Sequence, residues 1–198
     1  MKVKYKLNLK YSILGLFLIL CAYIIISYIS GARFSPDRAA KTSRWAENTS
    51  VLLGTVETPP YKVYIYENQD KYRTILTGYK FPFWRYRGSS WANKTEDKVK
   101  LVGWCSYSDR GDGKGITVVP VQSFDDKVAF IEMGSGPDLQ RKPVKTGEVL
   151  LFSWEKSVKW NDLNAIACSG DNKVLYKLGY EVNNSKINMD ELRWLPVD

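Results

Sequence analysis

Residues 81–91 read FPFWRYRGSSW, in which Phe81, Phe83, Trp84, Tyr86 and Trp91 crowd around Arg85 and Arg87. Flat aromatic faces and guanidinium groups are the side chains that stack on bases or sugars and pair with anions. In an extended strand, successive side chains point to opposite faces. Phe83, Arg85 and Arg87 then share one face, and Trp84 and Tyr86 share the other. A groove that tracks nucleic acid needs both residue types on one surface, so the alternation argues against it. The pattern predicts that Trp84 and Tyr86 face the core, that Arg85 and Arg87 are solvated, and that Gly88-Ser89-Ser90 makes a turn. Trp91 then stands as the candidate for an exposed binding platform. Trp91, Arg85 and Arg87 are the candidate ligand-binding residues.

Other chemistry is narrower. The sequence has no histidine, which excludes Ser-His-Asp and Cys-His machinery, histidine metal sites and imidazole acid–base work. The loop SDRGDGKG (108–115) sets Asp109 and Asp112 among three glycines. Their oxygens are weak candidates for a cation, and the spacing does not match an EF-hand loop. EMGSGPDL (132–139) has two of the glycines of a dinucleotide-binding loop but Leu139 where the third belongs, and it reads as a turn. Asp125-Asp126, Glu96-Asp97 and Asp190-Glu191 are adjacent carboxylates. A glycosidase needs two carboxyl groups facing each other across a sugar, and neighbours in a strand point apart. No catalytic motif stands out and no cofactor is expected, so the chain reads as a non-enzyme.

The net charge of +8 suggests nucleic acid until it is located. Lys2, Lys4, Lys6, Lys10 and Arg33 fall in the first 33 residues, which hold no acid. The other 165 residues carry 24 basic and 21 acidic side chains, an ordinary surface balance. Between Lys10 and Arg33 no charge interrupts the apolar run, and residues 11–30 are long enough as a helix to cross a hydrocarbon core of ~30 Å. Four lysines before the span favour a cytoplasmic tail at 1–10 and place 34–198 outside the membrane. The alternative is a signal segment cleaved near Ala32, releasing a secreted domain.

Ser35-Pro36-Asp37 is a helix start: a capping hydroxyl, proline at the first helical position, then an acid. A short helix within 31–50 would serve as a stalk or pack on the domain. From Val51 the hydrophobic period becomes two. Runs at 51–57, 61–67, 72–79, 99–107, 116–122, 127–133, 148–154 and 174–182 read as strands. They predict an all-β domain over 51–198, an antiparallel β-sandwich or partly open barrel, preceded by one transmembrane helix and containing a few short helical turns. ENQDKY (67–72) and SGDNK (169–173) read as hairpin turns. Pro120 is expected at an edge or bulge because it cannot donate to a ladder. Asn188 and Glu191 have capping-box spacing, which suggests a last helical turn before LRW. Cys105 and Cys168 either form a disulfide, which an extracytoplasmic location permits, or remain buried thiols.

The expected role is binding or accessory work at the cell surface, through contact with an envelope protein. Two alternatives are binding of a wall polymer or carbohydrate through exposed aromatics, and a small carboxylate-dependent hydrolase. Membrane lipid is the expected partner of 11–30, and nucleic acid is not expected to bind.

Overall fold

The structure is a computed structural model of the chain and describes residues 9–43, 50–109, 114–181 and 191–197. Leu9–Ile29 is one continuous helix, α1, of 21 residues. By length and composition it can cross a membrane. It ends where the sequence supplies a glycine. Gly31 adopts φ +90°, the Ala32 N–H reaches the Ser27 carbonyl at 2.9 Å, and the Gly31 N–H reaches the Tyr28 carbonyl at 3.1 Å. This pair of bonds is a Schellman closure, which needs a left-handed residue at that place. Arg33 finishes the cap: its Nη1 donates to the Tyr28 and Ala32 carbonyls, both at 2.8 Å.

Ser35 caps a second helix, α2 (Pro36–Ala40), and its hydroxyl accepts from the Arg38 N–H at 3.4 Å. This helix packs on the sheets and is not a spacer. Ala39 and Ala40 are buried, Ala40 packs with Tyr64 and Ile75, and the Tyr64 hydroxyl donates to Asp37. As far as residue 43, the segment read as a possible stalk belongs to the folded unit.

The strands follow in chain order: β1 (Val51–Thr58), β2 (Tyr61–Glu67), β3 (Lys71–Lys80), β4 (Phe83–Asn93), β5 (Val99–Leu101), β6 (Cys105–Ser108), β7 (Gly115–Ser123), β8 (Phe130–Met133), β9 (Gln140–Pro143), β10 (Val149–Trp154), β11 (Ile166–Cys168), β12 (Val174–Gly179) and β13 (Arg193–Pro196). They make three open antiparallel sheets. The first is the meander β1-β2-β3-β4. The second centres on β7, with β10 on one side and β5 and β6 end to end on the other. The third runs β13-β12-β11-β8-β9.

The β7-centred sheet contributes to both large apolar clusters. Ile116 and Val118 pack with Tyr61, Val63 and Leu76 of the first sheet. Val119 and Val121 pack with Ile131, Phe152 and Trp194. Burial on both faces explains why ITVVPVQ is almost continuously apolar.

Pro120 lies in this central strand and not at an edge. The Val102 N–H donates to the Pro120 carbonyl at 2.9 Å. In a strand, a residue's nitrogen and carbonyl face the same neighbour. The missing donor therefore faces the gap between Leu101 and Cys105, where the strand expected over 99–107 breaks in two.

Other expectations shift for local reasons. The strand read at 127–133 starts at Phe130, because Asp125 first makes a turn: its carboxylate accepts from the Lys127 N–H at 3.0 Å. Asp125 and Asp126 part company, the first buried and bonded by the Tyr176 hydroxyl at 2.6 Å, the second exposed. Both predicted hairpins form. Glu191, immediately before LRW, has 3-10 conformation, as a last helical turn there requires; strand β13 follows from Arg193, and Asn188 lies outside the described residues. Gly88-Ser89-Ser90 is not a turn. β4 runs through it, paired to β3 with one register shift that leaves Arg87 as the extra residue. Trp84 is half-buried and Tyr86 is 36% exposed, so neither is core; Phe83, at 1%, is. Cys105 and Cys168 are separate thiols on different sheets, so the bridge is not formed. Burial pushes the Cys105 thiol up to about 12, which keeps it protonated and apolar in character.

Two outcomes follow. Phe152→Ala, at a fully buried site, should cost about 3–5 kcal/mol in urea unfolding. Trp84→Ala should cost less, and equal losses would contradict the placement of Trp84 outside the core. For Asp125, the Tyr176 hydroxyl, against the opposing effect of burial, holds the carboxyl below its ordinary range. Its contribution is complete above about pH 4, the unfolded carboxylate range, and fades as pH falls through the depressed native value. The stability gap between wild type and Tyr176→Phe should therefore be widest near pH 7 and shrink progressively as pH falls below about 4. A gap of constant size would show that the bond to the ionised carboxylate is not the cause.

Candidate functional site

β4 is an edge strand, and the β7-centred sheet meets the first sheet chiefly beneath β1, β2 and β3. β4 therefore overhangs its neighbour. Its residues on the inner face, opposite Tyr72, Thr74, Leu76 and Gly78 of β3, are Ala92, Ser90, Gly88 and Arg85. Two clefts open along this overhang, one toward each end of β4.

The first cleft, of about 420 Å³, lies between the C-terminal end of β4 and β13, the edge strand of the third sheet. Three tryptophans line it: Trp91, Trp104 and Trp194. Trp91 is 51% exposed, Trp104 is half-buried and Trp194 is buried. Gly103 lies in the break opposite Pro120. A Cβ there would come within 2.2 Å of the Thr74 hydroxyl oxygen, so the chain passes close to β3 only as glycine. The Ser90 hydroxyl donates to the Trp104 carbonyl and ties β4 to this crossing.

The polar part of the cleft centres on Arg193. Its Nη1 donates to Glu181 at 2.9 Å and its Nη2 donates to Asp97. One guanidinium thus holds two carboxylates from distant parts of the chain. Asn93 and Thr95 add hydroxyl and amide groups. The arrangement gives a flat apolar wall beside fixed donors and acceptors, which suits orientation of a polar ligand.

The second cleft, of about 670 Å³, lies at the other end of β4, against α1. It gathers Tyr23 of α1, Phe81, Phe83, Lys80, Arg85 and Arg87, together with Asp109. Tyr23 and Phe34 pack on Phe83 with ring centroids 6.1 Å and 5.0 Å away.

The candidate ligand-binding residues therefore divide between two places: Trp91 lines the first cleft, and Arg85 and Arg87 line the second. Arg85 is half-buried and Arg87 exposed. Asp109 lines the second cleft with the arginines, Asp112 lies outside the described residues, and no metal-holding cluster occurs among the described residues. The sequence marks Asp97 only as half of an adjacent carboxylate pair, and it does not single out Arg193, Trp104 or Trp194 at all. No local spacing links them, since only the packing of β13 of the third sheet beside β5 of the second brings 97 and 193 together.

Comparison with protein-family models, curated proteins and solved structures finds no match to the chain. The rim and the floor of the first cleft should separate in stability measurements. Arg193→Gln, in a partly exposed pair, should cost no more than about 1 kcal/mol. Trp194→Ala should cost about 3–5 kcal/mol. A severe loss from Arg193→Gln would make the ion network a structural element rather than a cleft rim.

Proposed function

We propose that the protein is a membrane-anchored binding module that holds a hydroxyl-rich polymer, of the cell-wall or carbohydrate kind, in the tryptophan cleft outside the cell. The observation that carries this reading is Trp91: a half-exposed tryptophan at the mouth of a cleft whose rim holds Asn93, Asp97 and Arg193. A sugar presents an apolar C–H face and a polar edge, and an aromatic body beside fixed polar groups complements both. Asp97 and Glu181 both bind Arg193. That pairing favours positioning of a ligand over the independent acid and base of a hydrolase. Retention of α1 is supported by Gly31, Ala32 and Arg33, which are folded into its cap, with Ala32 fully buried. The lysine-rich tail favours an outside location for the sheets.

The test uses the full-length protein in nanodiscs, titrated calorimetrically with soluble wall-glycan fragments and with a hexamer of N-acetylglucosamine. Binding should saturate, and Trp91→Ala should weaken it at least tenfold while the melting temperature stays within the experimental spread. Absence of glycan binding, together with a photocrosslink from position 91 to an envelope protein, would transfer the site to the protein-interaction reading. Alkaline carbonate should leave the protein in the membrane fraction, and protease added to sealed cells should digest the sheets.

A further inference from the structure

We infer that the β3–β4 tip and the basic cleft behind it form a docking site for anionic phospholipid headgroups in the leaflet that α1 enters. The inference rests on the reading of α1 as a membrane anchor.

Depth is the first argument. Tyr23 lies six residues before Ile29, the last residue of α1, hence roughly 9 Å below that end at the helical rise. The whole helix is roughly 31 Å long, about the thickness of a hydrocarbon core. Phe83 packs against Tyr23 and against Phe34. A domain standing clear of the bilayer could not bring its first β4 residue to that level. The tip that joins β3 to β4 therefore reaches the headgroup zone, where the amphipathic aromatic belt sits.

Exposure and charge agree with that depth. Phe81, at the tip, is 82% exposed, and Phe34 is 64% exposed. Such apolar exposure beside a membrane helix is satisfied by acyl chains. Behind Phe81 stand Lys80, Arg85 and Arg87. Among the described residues none of the three has an ion-pair partner, whereas Lys62, Lys94, Arg141, Lys156 and Arg193 each do. The Arg87 side chain lies across Gly78: a Cβ at Gly78 would come within 2.9 Å of Arg87 Nε. The glycine leaves room for the Arg87 side chain to pass over β3 at this point, near the Tyr61 ring. Among the described residues lining the cleft, Asp109 is the one acid, against Lys80, Arg85 and Arg87. Fixed guanidinium groups at headgroup depth pair with lipid phosphate, in bidentate geometry where they can.

The test places the full-length protein in vesicles of equal parts phosphatidylcholine and phosphatidylglycerol, with bromine on the upper acyl carbons. Phe81→Trp should add emission that the brominated lipid largely quenches. Leu139→Trp, in the β8–β9 turn of the third sheet, should add emission that it does not. In nanodiscs of the same lipids, phosphatidylglycerol should be enriched several-fold among lipids retained by the protein, and the triple variant K80Q/R85Q/R87Q should abolish the enrichment. Inorganic phosphate should not displace the retained lipid; if it does, the site is a free-anion site and the inference falls. Equal quenching at 81 and 139, or none at 81 in protein that alkaline carbonate leaves membrane-bound, overturns the inference alone. Release by carbonate overturns the anchor and this inference together, while glycan binding at Trp91 is read independently of both.

Discussion

Two backbone hydrogen bonds between Arg33 and Trp84 fasten the apolar helix to the sheets. The Arg33 N–H donates to the Trp84 carbonyl at 2.9 Å, and the Trp84 N–H donates to the Arg33 carbonyl at 2.7 Å. They pair Arg33 with the otherwise open edge of β4. The same arginine caps α1 through its side chain. One residue thus ends the helix, begins the sheet contact and brings Phe34 onto Phe83. Without it, the six residues between α1 and α2 would hold no contact with the sheet edge and would act as a hinge. With it, the position of β4 relative to α1 is set, and with β4 the two clefts along its overhang.

The second constraint runs through β7. Because both faces of β7 are covered, its sequence must be apolar at odd and even positions alike. The proline within it removes one ladder donor. The neighbouring strand stops opposite that point, and the chain crosses as Val102-Gly103-Trp104. Gly103 permits the close approach to Thr74, and Trp104 enters the first cleft. The site is thereby placed by a defect in the central ladder, a defect legible in the sequence as Pro120 but not interpretable without the strand order.

This divides what the sequence discloses from what it conceals. Period-two patterning reveals strands because alternation is local, and β1, β2, β3, β7 and β10 fall close to where that pattern puts them. Both hairpins and the Ser35 cap are likewise local chemistry. The burial of Trp84 and Tyr86 was misjudged because alternation tells which residues share a face but not which face is covered. That depends on β4 being an edge strand that overhangs the β7-centred sheet. The Asp97–Arg193–Glu181 cluster was invisible for a related reason. Its members meet only because β13 returns to the edge of the third sheet beside β5, a contact between residues nearly a hundred positions apart.

The segment FPFWRYRGSSW then has a single physical account. Nearly all of it is one edge strand, and the extra residue at Arg87 divides the strand in two. Before the bulge, Phe83 and Arg85 share the inner face and lie toward α1. After it, Gly88 and Ser90 take that face with the alternation shifted by one. Without the extra residue, the alternation would run unbroken from Arg85, and Ser89 and Trp91 would take the inner face. Trp91 would then turn inward beneath the strand, where Ser90 now reaches the Trp104 carbonyl. The bulge keeps the small hydroxyl inside and the indole on the outer face at the cleft mouth. One inserted residue thus lets a single strand serve a basic, aromatic end beside the apolar helix and a tryptophan platform at the other.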